Sequence, residues 1–128
     1  MSSRLRVLLA DDYPAMVKAI SRLLALDCDV VGSVADGGAL LEAAQRLQPD
    51  VIVLDVNLPN VHGLEACRQI KDAYPEMKVI MFTALYDPGI TEQAFAVGAS
   101  ACVSKTAQSE LLSAIKRLRV DEADQTAR

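Results

Sequence analysis

Val51-Ile52-Val53-Leu54-Asp55-Val56-Asn57-Leu58-Pro59 is the stretch that decides the fold. Four consecutive apolar residues suit a strand covered on both faces, the environment of a parallel sheet. The run ends at a carboxylate and passes into Asn-Leu-Pro, which reads as a loop. Asp55 is therefore expected at the C-terminal end of a buried strand, where open α/β sheets bind their ligands.

The pattern repeats on either side. Val7-Leu8-Leu9-Ala10 leads into Asp11 and Asp12, Val79-Ile80-Met81-Phe82 into Thr83, and Ala101-Cys102-Val103-Ser104 into Lys105. Strands are expected at roughly 5–10, 29–34, 51–55, 78–83 and 100–104. Segments with helical spacing lie between and after them. Met16, Ile20, Leu23 and Leu24 share one face, as do Leu40, Ala44 and Leu47, then Cys67, Ile70 and Tyr74. Ile90, Ala94 and Val97 mark a weaker fourth helix. Leu111, Ile115 and Leu118 mark a fifth, with Lys116, Arg117 and Arg119 turned outward. Pro14 suits a first helical turn, and Gln48-Pro49-Asp50, Tyr74-Pro75-Glu76 and Gly98 suit helix ends. Repeated βα units predict an α/β fold, a parallel sheet with right-handed crossovers and helices on both faces. Residues 1–120 are read as one domain and the polar residues 121–128 as a tail or the start of a linker.

The chain has 128 residues, 52% of them hydrophobic, enough for one domain with a true core. A formal charge of −4 argues against direct nucleic-acid binding, which calls for a basic surface. Cys28, Cys67 and Cys102 are odd in number and set among apolar residues, so buried reduced thiols are expected. No apolar stretch reaches membrane-spanning length, and the N-terminus has no signal-peptide pattern. No membrane role and a cytoplasmic location are the expectations that follow.

The four strand ends suit a site for Mg²⁺ and a phosphoryl group. Asp11, Asp12 and Asp55 meet if the first and third strands are neighbours. Packed carboxylates repel unless a cation lies among them, and oxygen ligands favour Mg²⁺ over zinc or copper. Alternatively, Asp11 and Asp12 cap the following helix. Asp55 is either a ligand or a nucleophile that forms an aspartyl phosphate. Lys105 would supply a fixed cation and Thr83 a hydroxyl donor to phosphate oxygens, with the small Ala84 leaving Asp55 accessible. His62 reads as a surface loop residue. The glycines form neither a Walker A loop nor a dinucleotide fingerprint.

Leu9-Ala10-Asp11-Asp12, Leu54-Asp55-Val56-Asn57-Leu58-Pro59, Thr83-Ala84 and Ser104-Lys105 together resemble the receiver domain of bacterial two-component response regulators. The resemblance covers about residues 5–119. Flanking text such as Gly63-Leu64-Glu65-Ala66 and Gly98-Ala99-Ser100-Ala101 is most similar to the subgroup with a C-terminal helix-turn-helix output module. The resemblance implies a flavodoxin-like doubly wound sheet of five strands in the order 2-1-3-4-5, with five helices. It implies that Asp55 accepts a phosphoryl group from a sensor histidine kinase or a small phosphodonor. Asp12, Asp55 and the Asn57 carbonyl would bind Mg²⁺, with Asp11 acting mostly through a metal-bound water. Thr83 and Lys105 would bind phosphate oxygens. A capacity to form homodimers and no enzymatic turnover beyond slow self-phosphorylation and self-dephosphorylation also follow from it; the chain is then either a single-domain regulator or the receiver of a longer protein whose output module regulates transcription.

Two positions depart from the family pattern. Cys102 stands where Tyr or Phe is usual, so activation is expected to be read out by the loop after Thr83, or weakly. Thr106 stands where Pro often follows the lysine, leaving a trans peptide or a strained cis one. The alternatives are a degenerate receiver acting only as a binding module and an aspartate-nucleophile phosphohydrolase of the haloacid dehalogenase type. The hydrolase places its nucleophile on the first strand, whereas here the acid pair comes first.

Overall fold

The apolar runs form strands because each is covered twice. All five residues of the central one, β3 (Val51–Asp55), are buried. The computed structural model describes residues 4–84 and 87–126, with side chains through residue 118. In chain order its other elements are β1 (Leu5–Ala10), α1 (Pro14–Leu24), β2 (Cys28–Val34), α2 (Leu40–Leu47), α3 (Gly63–Ala73), β4 (Lys78–Thr83), α4 (Pro88–Ala96), β5 (Ala101–Ser104) and α5 (Gln108–Thr126). The strands pair in parallel in the order β2-β1-β3-β4-β5. This is the flavodoxin-like doubly wound sheet implied by the sequence resemblance, with strand limits within one residue of those expected.

Alternation along the strands builds two cores. Leu8, Ile52, Leu54 and Met81 meet Leu40, Ala44, Cys67, Ile70 and Ala94 from α2, α3 and α4. Val7, Leu9, Val53, Ile80 and Phe82 meet Ile20, Leu24, Leu111 and Ile115 from α1 and α5 on the other face. Each large side chain so buried contributes about 1.5–3 kcal/mol. The register then sets the site. Ala10 pairs with Leu54, Asp55 with Phe82, and Thr83 with Ser104. The residues that follow β1 and close β3 thus emerge side by side.

Several local features differ from expectation. Cys102 is half-buried, whereas Cys28 and Cys67 are buried; all three are reduced thiols. Helix α1 has Tyr13 at its N-cap with no side-chain cap, so neither Asp11 nor Asp12 caps it. Helix α2 ends on Gln48 in the left-handed region, at φ 47°, without the usual glycine. Gly98, at φ 104°, follows α4 as expected. The backbone of α5 stays helical to Thr126, through the segment that composition suggested as a tail. The orientation of Arg119 and the last two residues of that segment, 127 and 128, lie outside the described residues. Among the described residues no peptide bond is cis, so Thr106 follows a trans bond.

Gly63 opens α3 directly beneath the Asp55 loop, and its N–H donates to the Val56 carbonyl at 2.8 Å. A Cβ there would lie 2.2 Å from the Asp55 carbonyl oxygen and 2.6 Å from Val56 Cα. Both obstacles are backbone, so no side chain can swing aside. Gly63→Ala is expected to cost about 1–3 kcal/mol, read as a lower urea midpoint. A second prediction concerns thiols. Burial pushes the Cys67 thiol up to about 11, against the opposing pull of the Lys71 charge. At pH 8 it carries almost no thiolate, the reactive form. Iodoacetamide should therefore label Cys102 first in the native protein, and Cys67 only once urea unfolds it.

Candidate metal and phosphoryl site

Asp11 leaves β1 with its N–H bonded to the Val34 carbonyl at 3.0 Å. Its Oδ1 accepts from the Tyr13 N–H at 2.9 Å, folding the loop so that Oδ2 faces the end of β3. Asp55 is turned the same way, its Oδ1 accepting from the Asn57 N–H at 3.1 Å. Both carboxylates are buried, while Asp12 and Asn57 are exposed. One oxygen from each of Asp11, Asp12 and Asp55 lies within 4.8 Å of the others.

Lys105 reaches this cluster from the end of β5. Its Nζ lies 2.7 Å from Asp11 Oδ2 and 3.0 Å from Asp55 Oδ2, with its side chain only 13% exposed. Burial alone would lower the ammonium's pKa. Hydrogen bonds to Asp11 and then Asp55, with their negative charges, outweigh that and hold it above the ordinary lysine value. The lysine is thus charged throughout the physiological range. Its stabilising contribution is complete below the ordinary lysine pKa and is lost only as pH climbs through the raised one. The ammonium also sits 6.0 Å from the centroid of the Phe82 ring.

Three carboxylates against one ammonium leave a formal excess of two negative charges (−3 + 1 = −2). A divalent cation matches that excess. The donor set is entirely hard oxygen and one member is open to solvent, which suits Mg²⁺ with water completing its shell. The residues present therefore fit the metal implied by the sequence.

Thr83 closes β4 fully buried, and its carbonyl accepts from the Lys105 N–H at 2.8 Å. Ala84 is exposed; residues 85 and 86, in the loop expected to carry the readout, lie outside the described residues. Cys102 packs beside α4, and burial, partly offset by a hydrogen bond with Thr91, raises its thiol pKa. His62 is exposed and caps α3, its Nδ1 accepting from the Leu64 N–H at 3.3 Å. The sequence pointed to Asp11, Asp12, Asp55 and Lys105, and the structure gathers them. What it did not indicate is that Lys105 binds Asp11 as closely as Asp55. It also passed over the Ser104–Thr106 turn, for which a hydroxyl residue at a strand end was the available signal.

A family model described as "Response regulator receiver domain" matches residues 7–116. The response regulator GacA of Pseudomonas viridiflava is 34% identical over 88% of this chain and 54% of its own length. A protein-glutamate methylesterase/protein-glutamine glutaminase of Rhizobium johnstonii is 38% identical over 87% of the chain and 33% of its own length. The chain thus spans about half, or less, of the curated relatives it matches. Among solved structures, a LuxR-family two-component response regulator from Aurantimonas superposes with a TM-score of 0.86 at 31% identity, over 91% of this chain and 85% of that one.

Removing the lysine tests the charge balance. Lys105→Met leaves two buried carboxylates without their cation and is expected to cost about 3–5 kcal/mol in chelator at neutral pH. Added Mg²⁺ should raise the variant's thermal midpoint more than it raises that of the wild type.

Proposed function

The chain belongs to the response regulator receiver family, and from that premise we propose that Asp55 is its phosphoacceptor. The observation that carries this reading is the position of Asp55. It is a buried carboxylate beside a lysine ammonium and two further acids, at the C-terminal end of the central strand. An Asp55 oxygen attacks the phosphorus of a phosphohistidine on a sensor histidine kinase, or of a small acyl phosphate. The bond from phosphorus to the donor breaks, and the new P–O bond makes an aspartyl phosphate. Lys105 gives up its bond to Asp55 and turns to the new phosphoryl oxygens. Thr83 donates its hydroxyl to another of them. Asp11, Asp12, Asp55 and the Asn57 carbonyl would hold Mg²⁺, which supplies positive charge against the phosphoryl oxygens.

In this reading the protein signals and does not turn over substrate, apart from slow self-phosphorylation and self-dephosphorylation. Residues 1–120 form the receiver, and 121–128 lead toward an output module of the helix-turn-helix kind that regulates transcription. Neither nucleic acid nor membrane contacts the receiver, which works in the cytoplasm and pairs with a second copy of itself. No helix among the described residues is long and apolar enough to cross a membrane. The exposed Ala84 and the small Cys102 favour readout through the loop after Thr83.

Incubation with radiolabelled acetyl phosphate and Mg²⁺ is the test. One phosphoryl group per chain, lost on treatment with hydroxylamine and absent in Asp55→Asn, is the expected result. Undiminished labelling of Asp55→Asn overturns the assignment. Many turnovers per chain would favour a hydrolase, and no labelling a binding module.

A further inference from the structure

A lysine side chain turns about four bonds, and an ammonium at its end reaches many places unless its backbone is aimed. Lys105 has its backbone held from three directions. Its own N–H donates to the Thr83 carbonyl at 2.8 Å. The carbonyl of the preceding residue, Ser104, accepts from the Ala107 N–H at 3.0 Å, closing a four-residue turn with Lys105 and Thr106 at its centre. The Ser104 hydroxyl accepts from the Thr106 N–H at 3.1 Å and lies 2.8 Å from the Thr106 hydroxyl. A serine hydroxyl bonded to the N–H two residues on is a local clamp that favours turn geometry. Here the clamp spans the one residue whose side chain must meet Asp11 and Asp55.

We propose that Ser104 is a positioning residue for Lys105: its hydroxyl fixes the turn from which the ammonium reaches Asp55 and the incoming phosphoryl group. The clamp holds Thr106 by hydrogen bonding, at a place where no proline ring restrains the chain. The kinetic consequence rests on the phosphoacceptor reading. The coupling between Ser104 and Lys105 in the resting protein does not.

Two measurements on the full chain test it. In initial-rate labelling with acetyl phosphate, Ser104→Ala should be about fivefold slower, the equivalent of one net hydrogen bond. Ser104→Thr should restore the rate. Equal rates for wild type and Ser104→Ala, or a Ser104→Thr variant no faster than Ser104→Ala, overturn the proposal. Separately, the urea midpoints of wild type, Ser104→Ala, Lys105→Met and the double variant form a thermodynamic cycle. Ser104→Ala should lower the midpoint less in the Lys105→Met background than in the wild type. Equal losses in both would make Ser104 a turn residue with no influence on the lysine, and that also overturns the proposal. Should the wild type take no label, the phosphoacceptor reading fails and the cycle alone decides.

Discussion

The Lys105 ammonium between Asp11 and Asp55 is the interaction on which the site depends. Two carboxylates emerging from neighbouring strands would repel each other in a buried setting. The lysine makes their proximity tolerable, at the price of anchoring a flexible side chain. It does not complete the neutralisation, because Asp12 adds a third negative charge at the solvent edge. The resting protein therefore holds its acids together while keeping an appetite for a divalent ion. A buried ion pair of this kind adds little net stability over an apolar replacement. Its presence beside cores built from apolar side chains points to function.

The sheet delivers the charged groups. Parallel strands all present their C-terminal ends at one edge, so a polar residue closing each apolar run arrives there without any special loop. The order β2-β1-β3-β4-β5 makes β1 the neighbour of β3 and β4 the link to β5. The acids thus come from one side and the lysine from the other. Gly63 lets α3 begin against the Asp55 backbone itself, and the hydrogen bond from Gly37 N–H to the Pro59 carbonyl, 3.1 Å, ties the α2 side to the same loop.

Much of this was legible in the sequence because burial on both faces leaves a strand no room for polar residues until it exits. Val51 to Leu54 followed by Asp55 is unambiguous for that reason, and the same holds for Ala10 before Asp11. Helix α4 was harder to read. Ala94 is its sole fully buried residue among those described, and Phe95 beside it is exposed, so its periodicity is faint. Gln48 in the left-handed region carries no compositional signal, since a glutamine there is held by its surroundings and not by preference. Composition leaves residues 121–128 as a tail or the start of a linker, whereas the backbone stays helical to Thr126, because polar composition suits a helix as well as a tail. The bond between Lys105 and Asp11 was out of reach: sequence order places residues at a common edge but does not say which oxygen a long side chain will choose.

A pH titration of the lysine ammonium groups by NMR tests the central interaction most directly. Burial, followed by the nearby Lys78 charge, lowers the pKa of Lys71, whereas the two carboxylates raise that of Lys105. In metal-free protein Lys71 should lose its proton first and Lys105 after it, with the Lys105 signal moving earlier in Asp11→Asn. A Lys105 that titrates with or before Lys71, indifferent to Asp11→Asn, would contradict the account.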